Sequence, residues 1–226
     1  VGACRAARFR FPELRGVIGE GLVDYSGLFR PNFQLEDLAR PVLARQCKEF
    51  ALDAHLLMRA AFLSIGDRYG ARVARELARE QWSALAPVYV QRVRAALDID
   101  GDDMAAILKT LQVDPAFPPD YLRLRCELQD ARRGRVWIDD CDAIAPGEPG
   151  AWLQLLDDPE QPGFDASVCA VNPRARCRPA TPPPGAKLAW EIEIDPAAEP
   201  REESPMAAAV RHSNAASFVF TSRSEG

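Results

Sequence analysis

The chain has 226 residues, of which 47% are hydrophobic and 27% charged, and its formal net charge at pH 7 is -5. This length and apolar content are sufficient to bury a sizeable core. The acidic balance argues against a nucleic-acid partner, because proteins that bind nucleic acids present a basic surface. The longest uncharged apolar stretch, "ALAPVYV" at 84–90, is far too short to cross a bilayer, so we also expect no membrane partner.

Residues 1–34 are interrupted by glycine and proline and predict an irregular N-terminal arm. The first residues are basic but include no apolar signal-peptide core. "GVIGEG" at 16–21 lacks the spacing of a dinucleotide-binding loop, so no cofactor is predicted. The six cysteines are spread over a long chain, which favours reduced thiols and a cytoplasmic protein. Cys169 and Cys177 are too widely spaced for a zinc-binding pair, and no metal site is predicted.

Residues 35–112 show helical periodicity and predict a helical layer. Pro41 marks either a first-turn position or a break between helices. Few charges occur over 50–65, which predicts a helix that is buried on most sides. "YG" at 69–70 is typical of a helix end, and a second helix should follow, kinked or split at Pro87.

The segment "DIDGDD" at 98–103 places neither glycine at its sixth position nor glutamate at its twelfth, as a calcium loop requires. We interpret it as the acidic start of a third helix over "DDMAAILKTLQ".

Residues 118–226 change to a period of two, which predicts strands. "YLRLRCELQD" and "RVWIDDC" predict a hairpin, "KLAWEIEID" a further strand, and "SFVFTS" a final one. Strand alternation places Cys126 and Cys141 on opposite faces, which argues against a disulfide between them. The tail near 197–214 predicts a flexible linker. The whole pattern predicts a single α+β domain over 1–226, with an N-terminal helical layer on one face of a mostly antiparallel sheet.

Two segments, "LMRAAFLSIGDRYGARVARELAREQWSALAPVYVQRVRAAL" and "NPRARCRPATPPPGAKLAWEIEID", carry a resemblance. They look like a group of uncharacterised bacterial proteins that are similar to the L-2-amino-thiazoline-4-carboxylic acid hydrolase family. The resemblance covers about residues 35–196. The matching positions are His55, Tyr69, Gly70, Glu80, Trp82, Asn172, Pro173, Arg174 and Trp190. The resemblance implies a shared fold, hydrolase-like chemistry, and a ligand site that includes Trp82, Arg174 and Trp190.

The candidates for catalysis are His55, Glu80 and Cys141, with Glu76 as a further acid beside Glu80. His55 lies among apolar residues of the first long helix, where it is either a satisfied core residue or a general base. Glu76 and Glu80 lie one turn apart and are either acid–base partners of His55 or surface partners of arginines. Cys141 is a candidate nucleophile at a strand end, although no histidine is near it in sequence.

The arginines at 174, 176 and 178 form either a solvated surface or an anchor for a carboxylate or phosphate. Two functions therefore remain open. The favoured one is a ligand-binding protein for a small molecule, with an anionic ligand as one option, because no complete nucleophile, base and orienting group can be identified. The alternative is a hydrolase-like enzyme that acts on a small carboxylate-bearing substrate, with His55 as general base. A second copy of the chain is a candidate partner.

Overall fold

A computed structural model of the chain describes residues 21–117, 121–141, 144 and 162–212. The chain divides into two compact units, Val1–Phe50 and Ala51–Gly226. That the whole chain forms a single domain stays a prediction.

The described part of the first unit begins with bends and turns, as the sequence predicted for the arm, and continues into a 3-10 turn at Leu35–Asp37. Leu22 holds this segment together, because its amide donates to the Asp37 carbonyl over 2.7 Å and its carbonyl accepts from the Ala39 amide over 2.9 Å. Gly21 adopts a φ of +147°, and a Cβ atom there would lie 2.7 Å from the Ala39 nitrogen. Only glycine fits this close approach of two backbone segments.

Three helices follow: α1 (Arg40–Tyr69), α2 (Ala71–Ala96) and α3 (Met104–Gln112). Gly70 separates α1 from α2 with a φ of +90°, which confirms the predicted helix end. Pro87 lies inside α2 without splitting it into two helices.

The start of α1 places Pro41 in its first turn, where a missing amide costs little. Asp103 caps α3, since its carboxylate accepts from the Ala106 amide over 2.9 Å. The predicted acidic helix start is therefore confirmed.

The predicted burial of α1 is wrong. Of its 30 residues only His55 is buried. Leu56, Leu57 and Leu63 are 46%, 74% and 40% exposed. The apolar residues of α1 are distributed around the helix. Their number therefore did not indicate how much of the helix surface is buried.

The sheet contains β1 (Leu124–Leu128), β2 (Arg133–Asp139), β3 (Ala175–Pro179) and β4 (Ala186–Ile194). Its order is β1-β2-β4-β3, and every pair of neighbours is antiparallel. The predicted α+β class, with helices packed on an antiparallel sheet, is therefore confirmed. β3 was not predicted, and the segment "SFVFTS" lies outside the described residues.

In the described part of the region that the sequence assigned to strands, the chain forms two further helices, α4 (Pro162–Val171) and α5 (Pro205–His212). The prediction of a flexible linker near 197–214 is corrected over its described part. Ala207 of α5 is fully buried, and Arg201 forms an ion pair with Asp165 of α4. The three consecutive alanines of "PMAAAVRH" favour this short helix.

The core lies where α3 and α4 cover the apolar face of the sheet. The inward residues of β4 alternate with an exposed lysine and two exposed glutamates, as the strand pattern predicted, whereas the outward residues of β2 are mostly half-buried. The fully enclosed side chains at the centre include Ile107, Val136, Phe164, Trp190 and Ile192. Among the described residues, no helix is both long and apolar enough to cross a membrane.

Candidate ligand-binding site

A cavity of about 150 Å³ lies between α1 and α2 and is partly open to solvent. The segment that follows α3 closes one end of it. The described lining residues are mostly apolar: Ala54, His55, Met58, Phe62, Ala78, Gln81, Trp82, Leu85, Tyr89, Pro115 and Ala116.

The spacing of these residues explains why they converge. On both α1 and α2 the lining residues recur at intervals of one, three or four positions. Such spacing places side chains on one face of a helix. Each helix therefore contributes one stripe to the cavity, and His55 lies in the stripe of α1.

His55 is 2% exposed, and its ring meets the ring of Tyr121 edge-on, with the centroids 4.8 Å apart and the planes at 71°. Burial, with a smaller contribution from the charge of Arg59, lowers the pKa of His55 to about 4. The imidazole is therefore neutral at neutral pH and offers one donor and one acceptor nitrogen.

The other polar side chains among the described lining residues are the Gln81 amide, the Trp82 indole nitrogen and the Tyr89 hydroxyl. Burial raises the pKa of Tyr89, and the negative charge of Asp114 raises it further, so the phenol keeps its proton. Trp82 packs against Phe117 with a centroid distance of 6.1 Å, which anchors this side of the cavity in the core.

Asp114 lies directly before the two residues that close the cavity, and it is 3% exposed. Its carboxylate accepts from the Ala116 amide over 2.8 Å and from the Ser167 hydroxyl over 3.4 Å. Burial raises the pKa of Asp114 to about 6, although both hydrogen bonds act to lower it. A buried carboxylate with a raised pKa thus supports one wall of the cavity.

Of the six candidate site residues from the sequence, His55 and Trp82 line the cavity together. Glu80 is exposed on α2 and is not part of the lining. Glu76 instead forms an ion pair with Arg72, four residues away on the same helix. This matches the alternative that Glu76 is a surface partner of an arginine.

The remaining three candidates lie elsewhere. Cys141 follows the end of β2 and packs, half-buried, against the core. Arg174 is exposed, and its backbone amide donates to the Asn172 side chain over 2.9 Å. Trp190 is fully buried and stacks on Phe164 with a centroid distance of 4.8 Å, so the ligand contact expected of it is corrected to a core role.

The cysteines do not form a site in the part of the chain that the structure describes. Five of the six cysteines are free thiols: Cys47, Cys126, Cys141, Cys169 and Cys177. The sixth, Cys4, lies outside the described residues. The same residues include no group of three or more histidine, cysteine or acidic side chains that could hold a metal ion.

The expected opposite facing of Cys126 and Cys141 is corrected, because both pack against the same core. β2 ends at Asp139, so strand alternation does not extend to Cys141.

A second, larger concavity of about 590 Å³ lies between α2, α4 and the segment that carries α5. Two arginines line it, and both have carboxylate partners: Arg201 pairs with Asp165, and Arg211 pairs with Glu203. The Arg201–Asp165 pair attaches the C-terminal segment to α4, and the Arg211–Glu203 pair lies within that segment. Both guanidinium groups are therefore already paired, and the concavity is weaker than the first as a candidate site.

Comparisons of the chain with protein-family models, curated proteins and solved structures find no match. The resemblance to the hydrolase family therefore stays a prediction.

The sequence analysis missed Asp114, Tyr89 and Gln81. Tyr89 could have been found from Trp82, because it lies seven positions after it on the same face of α2, whereas Gln81 lies one position before Trp82, at the edge of that face. Asp114 precedes a proline directly after an apolar helix, which is typical of a turn but gives no indication of burial.

Proposed function

We propose that this chain binds a small, uncharged, largely apolar molecule in the cavity between α1 and α2. The observation that carries the proposal is a concave apolar lining in which the buried imidazole of His55 is neutral at neutral pH. Ligand sites commonly combine an apolar wall with a few polar groups that fix orientation.

The volume limits the ligand to about one ring. An apolar cavity of about 150 Å³ in another protein holds one benzene molecule, and this cavity has about that volume. His55, Gln81 and Tyr89 add hydrogen-bonding groups, so a ring with one polar substituent fits the lining better than a hydrocarbon.

The charges favour a neutral ligand over an anionic one. None of the described lining residues carries a full charge at neutral pH. The arginines that suggested an anion lie on or beside β3, outside this lining. The guanidinium of Arg176 also donates to the carbonyls of Pro173 and Glu199, at 3.0 and 2.9 Å, which reduces its capacity to bind an anion.

The hydrolase-like alternative has weaker support. A general base needs an orienting group, and a nucleophile must lie within reach of the base. Neither Glu80 nor Cys141 lines the cavity with His55. Binding therefore fits this arrangement better than catalysis, and hydrolase chemistry stays a prediction.

Titration with three ring compounds tests the proposal. We expect phenol to bind most tightly, with a Kd on the order of 1 mM or below. Benzene should bind more weakly because it forms no hydrogen bond, and benzoate most weakly because the lining would desolvate its charge. Isothermal titration calorimetry with the full chain at pH 7 measures all three.

A blocking variant locates the binding. Ala54 lines the cavity, so Ala54→Phe should abolish phenol binding. Ala95→Phe is the matched control, because Ala95 is an exposed alanine of α2 outside the lining. Equal binding by both variants, or tighter binding of benzoate than of phenol, would contradict the proposal.

A further inference from the structure

The solvent-facing side of α1 carries exposed leucines that no residue in the described part of the chain covers. Within the second unit, Leu57 is 74% exposed, and Leu56 and Leu63 are 46% and 40% exposed. A contiguous exposed apolar surface on a helix commonly marks a protein-interaction site.

Six of the exposed residues on the side of α1 opposite His55 form a single stripe, which we call the α1 stripe. Successive members lie one, three or four positions apart, so they follow one another along the same side of the helix. The α1 stripe consists of Asp53, Leu57, Ala60, Ala61, Ser64 and Arg68, all exposed.

We propose that the α1 stripe binds the same stripe of a second copy of this chain, with the two helices antiparallel. The order of the residues is self-complementary when the twofold axis passes between Ala60 and Ala61. Asp53 of each copy then lies opposite Arg68 of the other, and Leu57 lies opposite Ser64. An interface that pairs one surface with itself closes at two copies.

The sizes of the side chains fit this register. Alanines at the crossing point allow the two helices to approach closely, and each Leu57 meets the small Ser64 of the other helix. Leu56 and Leu63 lie beside the α1 stripe and extend the apolar area. Burying a leucine side chain is the main favourable contribution that such a contact offers.

The polar groups of the α1 stripe also tolerate the contact. The Ser64 hydroxyl donates to the Ala60 carbonyl over 2.9 Å, so it keeps its hydrogen bond when water is excluded. Asp53 and Arg68 form no ion pair with any described residue, which leaves both for pairing between copies. A membrane surface fits less well, because anionic lipids would repel Asp53.

Sedimentation velocity of the full chain over a range of concentrations tests this proposal. We expect a dimer of the wild-type chain. Leu57→Glu should raise the dissociation constant at least about 100-fold, because it removes two buried leucines and adds two buried charges. The variant should keep its circular dichroism spectrum, since Leu57 is 74% exposed.

A charge exchange tests the register. Asp53→Arg alone and Arg68→Asp alone should each weaken the dimer about 10-fold, because each creates two like-charge contacts. The double variant restores both pairs and should dimerise like the wild type. Glu80→Arg changes an exposed acid of α2 outside the α1 stripe and is the matched control.

Three results would overturn the proposal. The first is a wild-type chain that stays monomeric at every concentration. The second is a monomer that binds vesicles of phosphatidylcholine with phosphatidylglycerol, which would assign the surface to lipid. The third is a double variant no better associated than the single ones. None of these outcomes depends on the proposed ligand, since dimerisation is measured without one.

Discussion

The helices α1 and α3 differ in what their apolar residues contact. α3 has nine residues, and six of them are buried: Met104, Ala106, Ile107, Leu108, Thr110 and Leu111. α1 has 30 residues, and only His55 is buried. α3 concentrates its apolar side chains on the face that meets the sheet, whereas α1 distributes them around its circumference. Periodicity therefore indicated burial in this chain, and apolar content alone did not.

The largest expected effect comes from the core that α3 covers. Trp190→Ala should lower the free energy of unfolding by about 3–5 kcal/mol, because it leaves a large cavity beside Phe164. Trp137→Ala is the matched control, since Trp137 lies on the opposite face of the same sheet and is only half-buried. Urea unfolding followed by circular dichroism measures both variants. Equal losses would show that the described core is not where the stability resides.

Replacing one large aliphatic side chain by alanine in each helix compares directly how much α1 and α3 contribute to the free energy of unfolding. Ile107→Ala should cost about 2–5 kcal/mol, because Ile107 is fully buried. Leu57→Ala should change stability by no more than about 0.5 kcal/mol at concentrations where the chain is monomeric. The comparison fails if the α1 substitution is as costly as the α3 substitution.

Two buried titratable groups at the cavity extend the comparison to pH. The pKa of His55 is about 4 in the folded chain against an ordinary 6.5. As the pH falls from 6.5 towards 4, the unfolded chain gains this proton first, so His55 lowers stability at acid pH. The pKa of Asp114 is about 6 against an ordinary 3.8. As the pH rises from 4 towards 6, the unfolded chain loses this proton first, so Asp114 lowers stability as the pH rises.

Single variants should separate these opposing slopes. His55→Gln leaves the Asp114 contribution, so its unfolding free energy should fall, relative to that of wild type, by about 2 kcal/mol between pH 4 and pH 6. Asp114→Asn leaves the His55 contribution, so its unfolding free energy should rise relative to that of wild type, by a similar amount, between about pH 4 and pH 6. Urea titrations at several pH values provide the test. Parallel pH profiles for wild type and both variants would mean that neither group is buried as described.

The smallest expected effect concerns the start of α3. Asp103→Ala should cost about 1 kcal/mol, because the Ala106 amide loses its acceptor. Asp102→Ala should cost less, since Asp102 contributes only its backbone carbonyl to a hydrogen bond from Asn172. Thermal unfolding of the two variants distinguishes a cap from a general effect of negative charge near the helix start.

The regular elements were the most predictable part of the fold. β4 alternates except at the small, buried Ala189, and Trp190 and Ile192 are buried as that alternation indicated. β3 was missed although it also alternates, because its inward positions hold Ala175, Cys177 and Pro179 rather than large apolar residues. α4 was missed because it is short and its residues show little segregation onto two faces.

The candidate site was only partly predictable, for a different reason. His55 and Trp82 stand out as residue types, and both line the cavity. Asp114 is ordinary in sequence and becomes unusual only through burial, which depends on Ser167 and other residues distant in the chain. Long-range packing of this kind leaves no local pattern to detect.

β4 is the last of the strands in the described residues, yet it lies between β2 and β3. β1 with β2, and β3 with β4, are pairs of consecutive strands that can form by local contacts. The pairing of β2 with β4 joins the two halves, and it must close a long loop that includes α4. Formation of this central pairing is therefore the slow, non-local step of sheet assembly. During synthesis, the edge of β2 that pairs with β4, including Val136 opposite Trp190, stays unpaired until β4 emerges from the ribosome.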